Sequence, residues 1–400
     1  MSQLSGDEVL LPYSLKGLPV RIRALSKAEL RQIFSKTFSS SRGPVYSNFE
    51  FGAVILSKGI SEPKITQAEA GELEPEVFTA ILSRILEISG IGLKRKETDY
   101  LTEFLPDDSQ IRRRLDLVKD TLARSGFLGI FNQFVLSGRF VESISKWQTY
   151  NPKSGSLGWD RLPKRRRDAL VKRNRLAAAT EGASTIIKSD GERQWVIVVV
   201  DYEKASEPSD LEHFTLHEGQ HVFDSILGYG RTYAADEKAI MRILRSHGVS
   251  TNLGFVRNTL DVINEVFVER RIYHLRGEES LKFMTRQIER SKEFLLDPRL
   301  LARSGKEKGA IAALGLYVLG RLVVVCAPFR EAGEPHPSGL DEVFRRFPAF
   351  FQSYHERLSS LLSGLNLERV EPGDVANATA LLKEFYERYR RSLSSKARNR

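Results

Sequence analysis

The residues His217-Glu218-Gly219-Gln220-His221 could perform chemistry at a metal ion. Two histidines four residues apart lie on one face of a helix, so their imidazole nitrogens can bind one tetrahedral ion. Glu218 would then lie beside the open coordination position. The residues that flank the segment are uncharged, which favours a buried helix. The alternative is that both histidines are packed or solvated without a metal.

The pattern H-E-x-x-H is the signature of a catalytic zinc site. Such a site has three protein ligands and one water, whose pKa zinc lowers from 15.7 to about 7. Glu218 would accept the proton of that water, and the hydroxide would attack a peptide carbonyl. His217 and His221 supply two ligands, so a third must come from elsewhere in the chain.

The segment Ile263-Asn264-Glu265-Val266-Phe267-Val268-Glu269 resembles the N-E-x-x-x-D helix of the zincins related to thermolysin, the gluzincins. The resemblance implies that Glu265 is the third zinc ligand and that Glu269 orients His217. Position 269 carries Glu instead of Asp. Independently of the family, Asp261, Glu265 and Glu269 repeat at every fourth residue, and such a row of like charges needs a compensating cation.

Two rivals for the third ligand remain open, and a surface salt bridge is a further role for Glu265. Glu237 lies beside apolar helical residues a short distance further along the chain, and Asp224 follows His221 by about one turn. Several residues could donate a hydrogen bond to the developing oxyanion, namely Tyr229, Tyr233, Tyr273, His274, Tyr317 and His336.

The chain before the histidine helix predicts a β-hairpin. The runs 184–188 and 194–201 are rich in β-forming residues and flank Asp190-Gly191, a pair favoured in tight turns. The run Val196-Ile197-Val198-Val199-Val200 predicts a strand buried on both faces. A strand about ten residues before the histidine helix is the order found in zincin catalytic cores, and this region resembles one.

The first quarter of the chain predicts a strand at 18–24, a helix near Lys27 capped by Ser26, a helix at 49–58, and a helix that begins at Pro75 and ends near Gly90. Three of its segments resemble the tail assembly chaperones of tailed phages, namely 20–25, 59–66 and 85–90. This resemblance implies a phage or prophage origin and contacts with virion proteins.

Composition limits the other classes of function. Cys326 is the only cysteine, which excludes a disulfide framework and a cysteine-ligated zinc site within one chain. The amino terminus has no signal-peptide pattern, so we expect a cytoplasmic protein, in the host cytoplasm or associated with virions. The apolar run 310–329 includes Arg321 and two glycines, which favours a buried core helix over a membrane span, and we expect no membrane partner.

The net charge of +10 is concentrated between Arg161 and Arg175, where eight basic residues accompany one acid, Asp168. This block follows a stretch rich in Gly, Ser and Pro at 152–158, which indicates a boundary. The block could contact nucleic acid or an acidic partner. It has no interleaved aromatics and no recognised reader motif, so we expect a solvated basic helix or linker and no specific nucleic acid partner.

Together these patterns predict an α+β fold, mostly helical, with a small β-sheet or hairpin packed on the H-E-x-x-H helix. The expected domains are a helical, chaperone-like one at 1–100, a helical region with a basic linker at 101–180, a zincin-like core at 181–280 and a helical region at 281–400. The predicted function is a Zn²⁺-dependent peptidase that hydrolyses a protein or peptide substrate. The alternative is a phage assembly protein that retains the zincin fold only to bind metal.

Overall fold

The structure is a computed structural model that describes residues 8–26, 28–30, 33, 48–73, 75–86, 88–89, 98–106, 108–125, 130–189, 194–227, 237–296, 308–337, 339–365 and 370–396. The chain forms two compact units, Met1–Leu227 and Gly228–Arg400.

The first unit combines strands and helices. Its strands are β1 (Glu8–Leu15), β2 (Leu18–Arg23), β3 (Ile60–Glu62), β4 (Asp99–Glu103), β5 (Gln133–Ser137), β6 (Tyr150–Asn151), β7 (Ser156–Leu157), β8 (Ala183–Ser189) and β9 (Gln194–Asp201). Its helices are α1 (Asn48–Gly59), α2 (Gln67–Gly71), α3 (Pro75–Leu86), α4 (Ser109–Arg124), α5 (Phe140–Trp147), α6 (Lys164–Thr180) and α7 (Pro208–Leu227).

The amino-terminal strands β1, β2 and β3 form an antiparallel sheet in that order. The predicted strand at 18–24 and helix at 49–58 are confirmed as β2 and α1. Ser26 caps the next helical turn, because its hydroxyl accepts from the Glu29 backbone N–H while the Glu29 carboxylate accepts from the Ser26 N–H. The helix that begins at Pro75 ends at Leu86, and Lys27 and Gly90 lie outside the described residues.

A four-stranded sheet with the order β4-β5-β9-β8 positions the histidine helix. Strands β4, β5 and β9 run parallel, and β8 pairs antiparallel with β9 as the predicted hairpin requires. The turn at Asp190-Gly191 lies outside the described residues. The run Val196–Val200 is at most 1% exposed, which confirms a strand buried on both faces.

Helices cover both faces of this sheet. On one face, α5 packs its Phe140, Ile144 and Trp147 against Ile197 and other residues of β5, β8 and β9. On the opposite face, α7 packs against β8 and β9 and also against α4. Because strand side chains alternate between faces, Ile186 and Thr185 of β8 point to opposite sides, with Thr185 toward α7.

The second unit is helical in the part of the chain that the structure describes. Its helices are α8 (Glu237–Ser246), α9 (Leu253–Arg276), α10 (Glu278–Leu296), α11 (Lys308–Ala332), α12 (Gly339–Arg346), α13 (Phe350–Ser363) and α14 (Pro372–Lys396). Helix α11 packs against α9, α13 and α14. Within it, residues 311–332 are long and apolar enough to cross a membrane, and 72% of the most apolar stretch is buried in the protein.

Cys326 on α11 is 2% exposed, and burial raises the pKa of its thiol to about 12. It is a buried free thiol, as predicted. The buried Thr259 and Thr379 hydroxyls bond at 3.1 Å where α9 meets α14. The core of this unit therefore contains paired polar groups among its apolar side chains.

The fold is a mostly helical α+β fold, as predicted. The range 101–180, expected to be a helical region with a basic linker, also contains the strands β5, β6 and β7. The four-stranded sheet takes β4 and β5 from before residue 180 and β8 and β9 from after it. One sheet therefore combines strands from both sides of the domain boundary expected at residue 180.

Candidate metal centre

Helix α7 presents the histidines from the middle of a 20-residue helix. Pro208 is its first residue, a position where the absent proline N–H is not needed. Asp210 lies in the first turn, where a carboxylate interacts favourably with the helix dipole. Leu211, Leu216 and Val222 are at most 7% exposed. The helix is therefore buried against its unit, as the uncharged flanking residues predicted.

The His217 and His221 rings meet as the i, i+4 spacing predicted. Their Nε2 atoms lie 3.0 Å apart, with ring centroids 4.6 Å apart and planes at 75°. Both side chains are half-buried. Two nitrogens bound to one tetrahedral zinc at about 2.05 Å would lie about 3.3 Å apart. The pair therefore fits two ligands of one ion, and the same separation also permits one shared proton between the rings.

Glu218 is 5% exposed and lies against the sheet. Its Oε2 accepts a hydrogen bond of 2.5 Å from the Thr185 hydroxyl on β8. A buried carboxylate requires such a donor, because loss of hydration is otherwise uncompensated. This contact fixes one oxygen of the acid that the sequence assigned as the general base.

The sequence interpretation missed two residues of this region. Thr185 was expected only as part of a strand, and nothing in the sequence indicated which face it occupies. His213 precedes His217 by four residues and is 1% exposed, with ring centroids 6.4 Å apart. The spacing that identified His217 and His221 would also have identified His213. The tighter pair remains His217 and His221.

Glu265 lies on α9 in the second unit, and the row of acids predicted around it forms part of that helix. Asp261 is exposed, Glu265 is half-buried and Glu269 is 4% exposed. The expected alternative for Glu265 was a surface salt bridge. Arg321 of α11 lies 3.9 Å from a carboxylate oxygen of Glu265. That separation is long for a charge-assisted hydrogen bond.

The rival ligand Glu237 is engaged by a cation. Arg257 donates to both of its oxygens, at 2.9 and 3.4 Å, and these bonds lower the pKa of the Glu237 carboxyl. Binding of a metal by Glu237 would have to break this forked pair. The other rival, Asp224, lies on α7, and its side chain is outside the described part of the chain.

The candidates for the oxyanion donor differ in their surroundings. His274 shares Glu331 with Arg270, through contacts of 3.1 and 2.6 Å. The His274 hydrogen bond, followed by the Arg270 charge, lowers the pKa of the Glu331 carboxyl to about 2. His336 is 3.9 Å from Asp341. Tyr229 and Tyr233 lie outside the described residues.

No protein-family model matches this sequence, and no curated protein or solved structure matches it either. The zincin and phage-chaperone resemblances therefore stay predictions.

Proposed function

We propose that this chain is a zinc-dependent peptidase, in which His217, His221 and Glu265 hold the metal and Glu218 is the general base. One observation carries the proposal. The Nε2 atoms of His217 and His221 lie 3.0 Å apart, and the buried carboxylate of Glu218 directly follows His217 in the sequence. The suggested phage or prophage origin depends on the amino-terminal resemblance alone.

When bound, zinc supplies an acidified water and polarises the carbonyl to be attacked. Thr185 holds Oε2 of Glu218, which leaves Oε1 to accept the proton of the water. Glu218 then returns that proton to the nitrogen of the leaving amine. The low exposure of Glu218 limits competing hydration of its carboxylate.

The position of β8 supports a peptide as the substrate. Among the described strands, β8 is one of the two terminal strands of its sheet, and its Thr185 contacts Glu218. A terminal strand offers backbone N–H and C=O groups to an extended chain, a mode by which sheets bind peptides. We propose that the substrate backbone pairs with β8.

The choice of Glu265 over Glu237 depends on their partners. Glu237 is held by a forked pair with Arg257, whereas the Arg321 guanidinium is 3.9 Å from Glu265. Binding of a metal by Glu237 would have to break its forked pair with Arg257. Glu269, one turn further along α9, is proposed to orient His217.

Metal analysis tests the ligand set. The purified chain should contain about one zinc, and His221→Ala should lose it. The matched control is His247→Ala, an exposed histidine of the second unit that should leave zinc content unchanged. Glu265→Ala should lose more zinc than Glu237→Ala. Full zinc occupancy in His221→Ala would overturn the site.

Glu218→Gln tests catalysis separately from metal binding. The variant should keep zinc but lose the proton acceptor, and activity on casein or a peptide library should fall at least about 100-fold. Equal cleavage by the two proteins would refute the role of Glu218. A zinc-loaded wild-type protein that cleaves nothing would instead favour the assembly-protein alternative.

A further inference from the structure

Helix α6 carries an arc of exposed cations that the proposed peptidase does not use. At about 100° per residue, six exposed basic side chains fall within about 200° of the helix circumference. They are Lys164, Arg165, Arg166, Lys172, Arg173 and Arg175. Asp168 is the only exposed acid from 164 to 175. The arc extends over about 17 Å, at about 1.5 Å per residue.

Among the described residues, these cations have no acidic partners. Within the part of the chain that the structure describes, none of the six forms an ion pair, and Arg173 donates only to the neutral amide of Gln148 at 2.7 Å. By contrast, the nearby Lys146 pairs with Glu103 and Arg139 with Glu142. The charge of the arc is therefore available to an external anion.

The arc also opposes the stability of its own helix. Lys164, Arg165 and Arg166 occupy the first turn, which contains no acid. Cations near a helix amino terminus are unfavourable by about 0.3–1 kcal/mol each at low salt. An anionic ligand would remove this penalty, whereas helix formation alone gives no reason for it.

The opposite side of α6 is fixed on α5. The buried Asn174 donates to the Ser145 hydroxyl at 2.9 Å and to the Gln148 amide oxygen at 3.2 Å. Arg167, half-buried, lies over the Trp159 ring with its guanidinium 5.9 Å from the centroid. These contacts set the rotation of the helix, so the cationic arc has a defined direction.

We infer that α6 binds the phosphate backbone of a nucleic-acid duplex, independently of its sequence and of the proposed peptidase activity. An unpaired basic arc suits regularly spaced phosphates. Single-strand binders use exposed aromatics to stack bases, and the exposed residues from 164 to 175 include none. A membrane-bound helix needs large apolar side chains on its exposed face, whereas Ala169 is the only exposed apolar residue from 164 to 175.

The test compares four glutamine substitutions on the arc with four elsewhere. Lys164, Arg165, Arg166 and Lys172 become Gln in the test variant. Arg242, Arg245, Arg345 and Arg346, exposed arginines of α8 and α12, become Gln in the control. Both variants lose four positive charges, so any difference in duplex affinity between them is due to the location of the substituted residues. The probes are labelled 24-base-pair DNA and RNA duplexes of arbitrary sequence, followed by fluorescence anisotropy from 50 to 200 mM NaCl.

Each neutralised phosphate contributes about −0.9 to the slope of log affinity against log salt concentration. Six phosphate contacts therefore give a slope of about −5.4, and the two contacts left in the test variant give a slope of about −1.8. The wild type and control should therefore lose about 2,000-fold in affinity across this range, and the test variant only about 10-fold. No duplex binding at 50 mM NaCl, or equal slopes for the test variant and wild type, would overturn the inference. Tighter binding to phosphatidylserine vesicles or polyglutamate than to either duplex would also overturn it.

Discussion

Thr185→Val should destabilise the first unit by about 2 kcal/mol. Valine has the shape of threonine and keeps the β-branch that a strand favours, so the change removes little except the hydroxyl. Glu218 remains 5% exposed and loses the donor that now lies 2.5 Å from its Oε2. A hydrogen bond to a carboxylate contributes about 1.5–3 kcal/mol, and the central value changes the unfolding equilibrium about 30-fold.

Urea unfolding followed by tryptophan fluorescence measures this loss. All three tryptophans, Trp147, Trp159 and Trp195, belong to the first unit, so the signal does not report the second unit directly. The matched control is Thr102→Val, the same change at an exposed position of β4. Thr185→Ser keeps the hydroxyl and should recover most of the stability.

A double-mutant cycle with Glu218→Met isolates the pair. We expect a coupling energy of about 2 kcal/mol between positions 185 and 218. If Thr185→Val and Thr102→Val shift the urea midpoint equally, or if the coupling is below about 0.5 kcal/mol, the hydrogen bond does not hold Glu218 and the reasoning fails.

Two further predictions follow. Burial lowers the pKa of His355 from its usual 6.5 to about 4. The stability that the neutral ring provides is therefore complete above pH 6.5, and about 3 kcal/mol of it is lost as the pH falls to 4. The NMR signal of the His355 ring should titrate near pH 4, and His355→Leu should flatten this part of the stability–pH curve. A Cβ on Gly182 would overlap the Phe214 ring, so Gly182→Ala should destabilise the first unit by about 1–3 kcal/mol, and an unchanged urea midpoint would contradict this packing.

Local patterns predicted much of the fold. The β8–β9 hairpin has a turn pair and β-rich runs in one stretch of sequence, and α7 has a proline start and spaced histidines. Strands β4 and β5 were not predicted, because each has five residues and short apolar runs do not distinguish strand from helix. Their parallel pairing also depends on partners distant in sequence.

The site was predictable to the extent that it depends on one helix. The His217–His221 contact follows from helical geometry alone. The contact between Glu218 and Thr185 requires the register of β8 and the rotation of α7 on the sheet, neither of which one sequence specifies. The pairing of Glu237 with Arg257 joins residues on two helices and was equally hidden.

The parallel pairing of β5 with β9 has a consequence for synthesis on the ribosome. The backbone N–H of Val196 donates to the Asn132 side chain across 64 residues, and β9 lies between β5 and β8. The centre of the sheet therefore cannot assemble until residue 201 has left the exit tunnel, and before then α5 lacks the part of its packing surface that β9 supplies. During that interval β4 and β5 expose apolar edges, so a slow ribosome or a truncated chain ending before β9 favours aggregation.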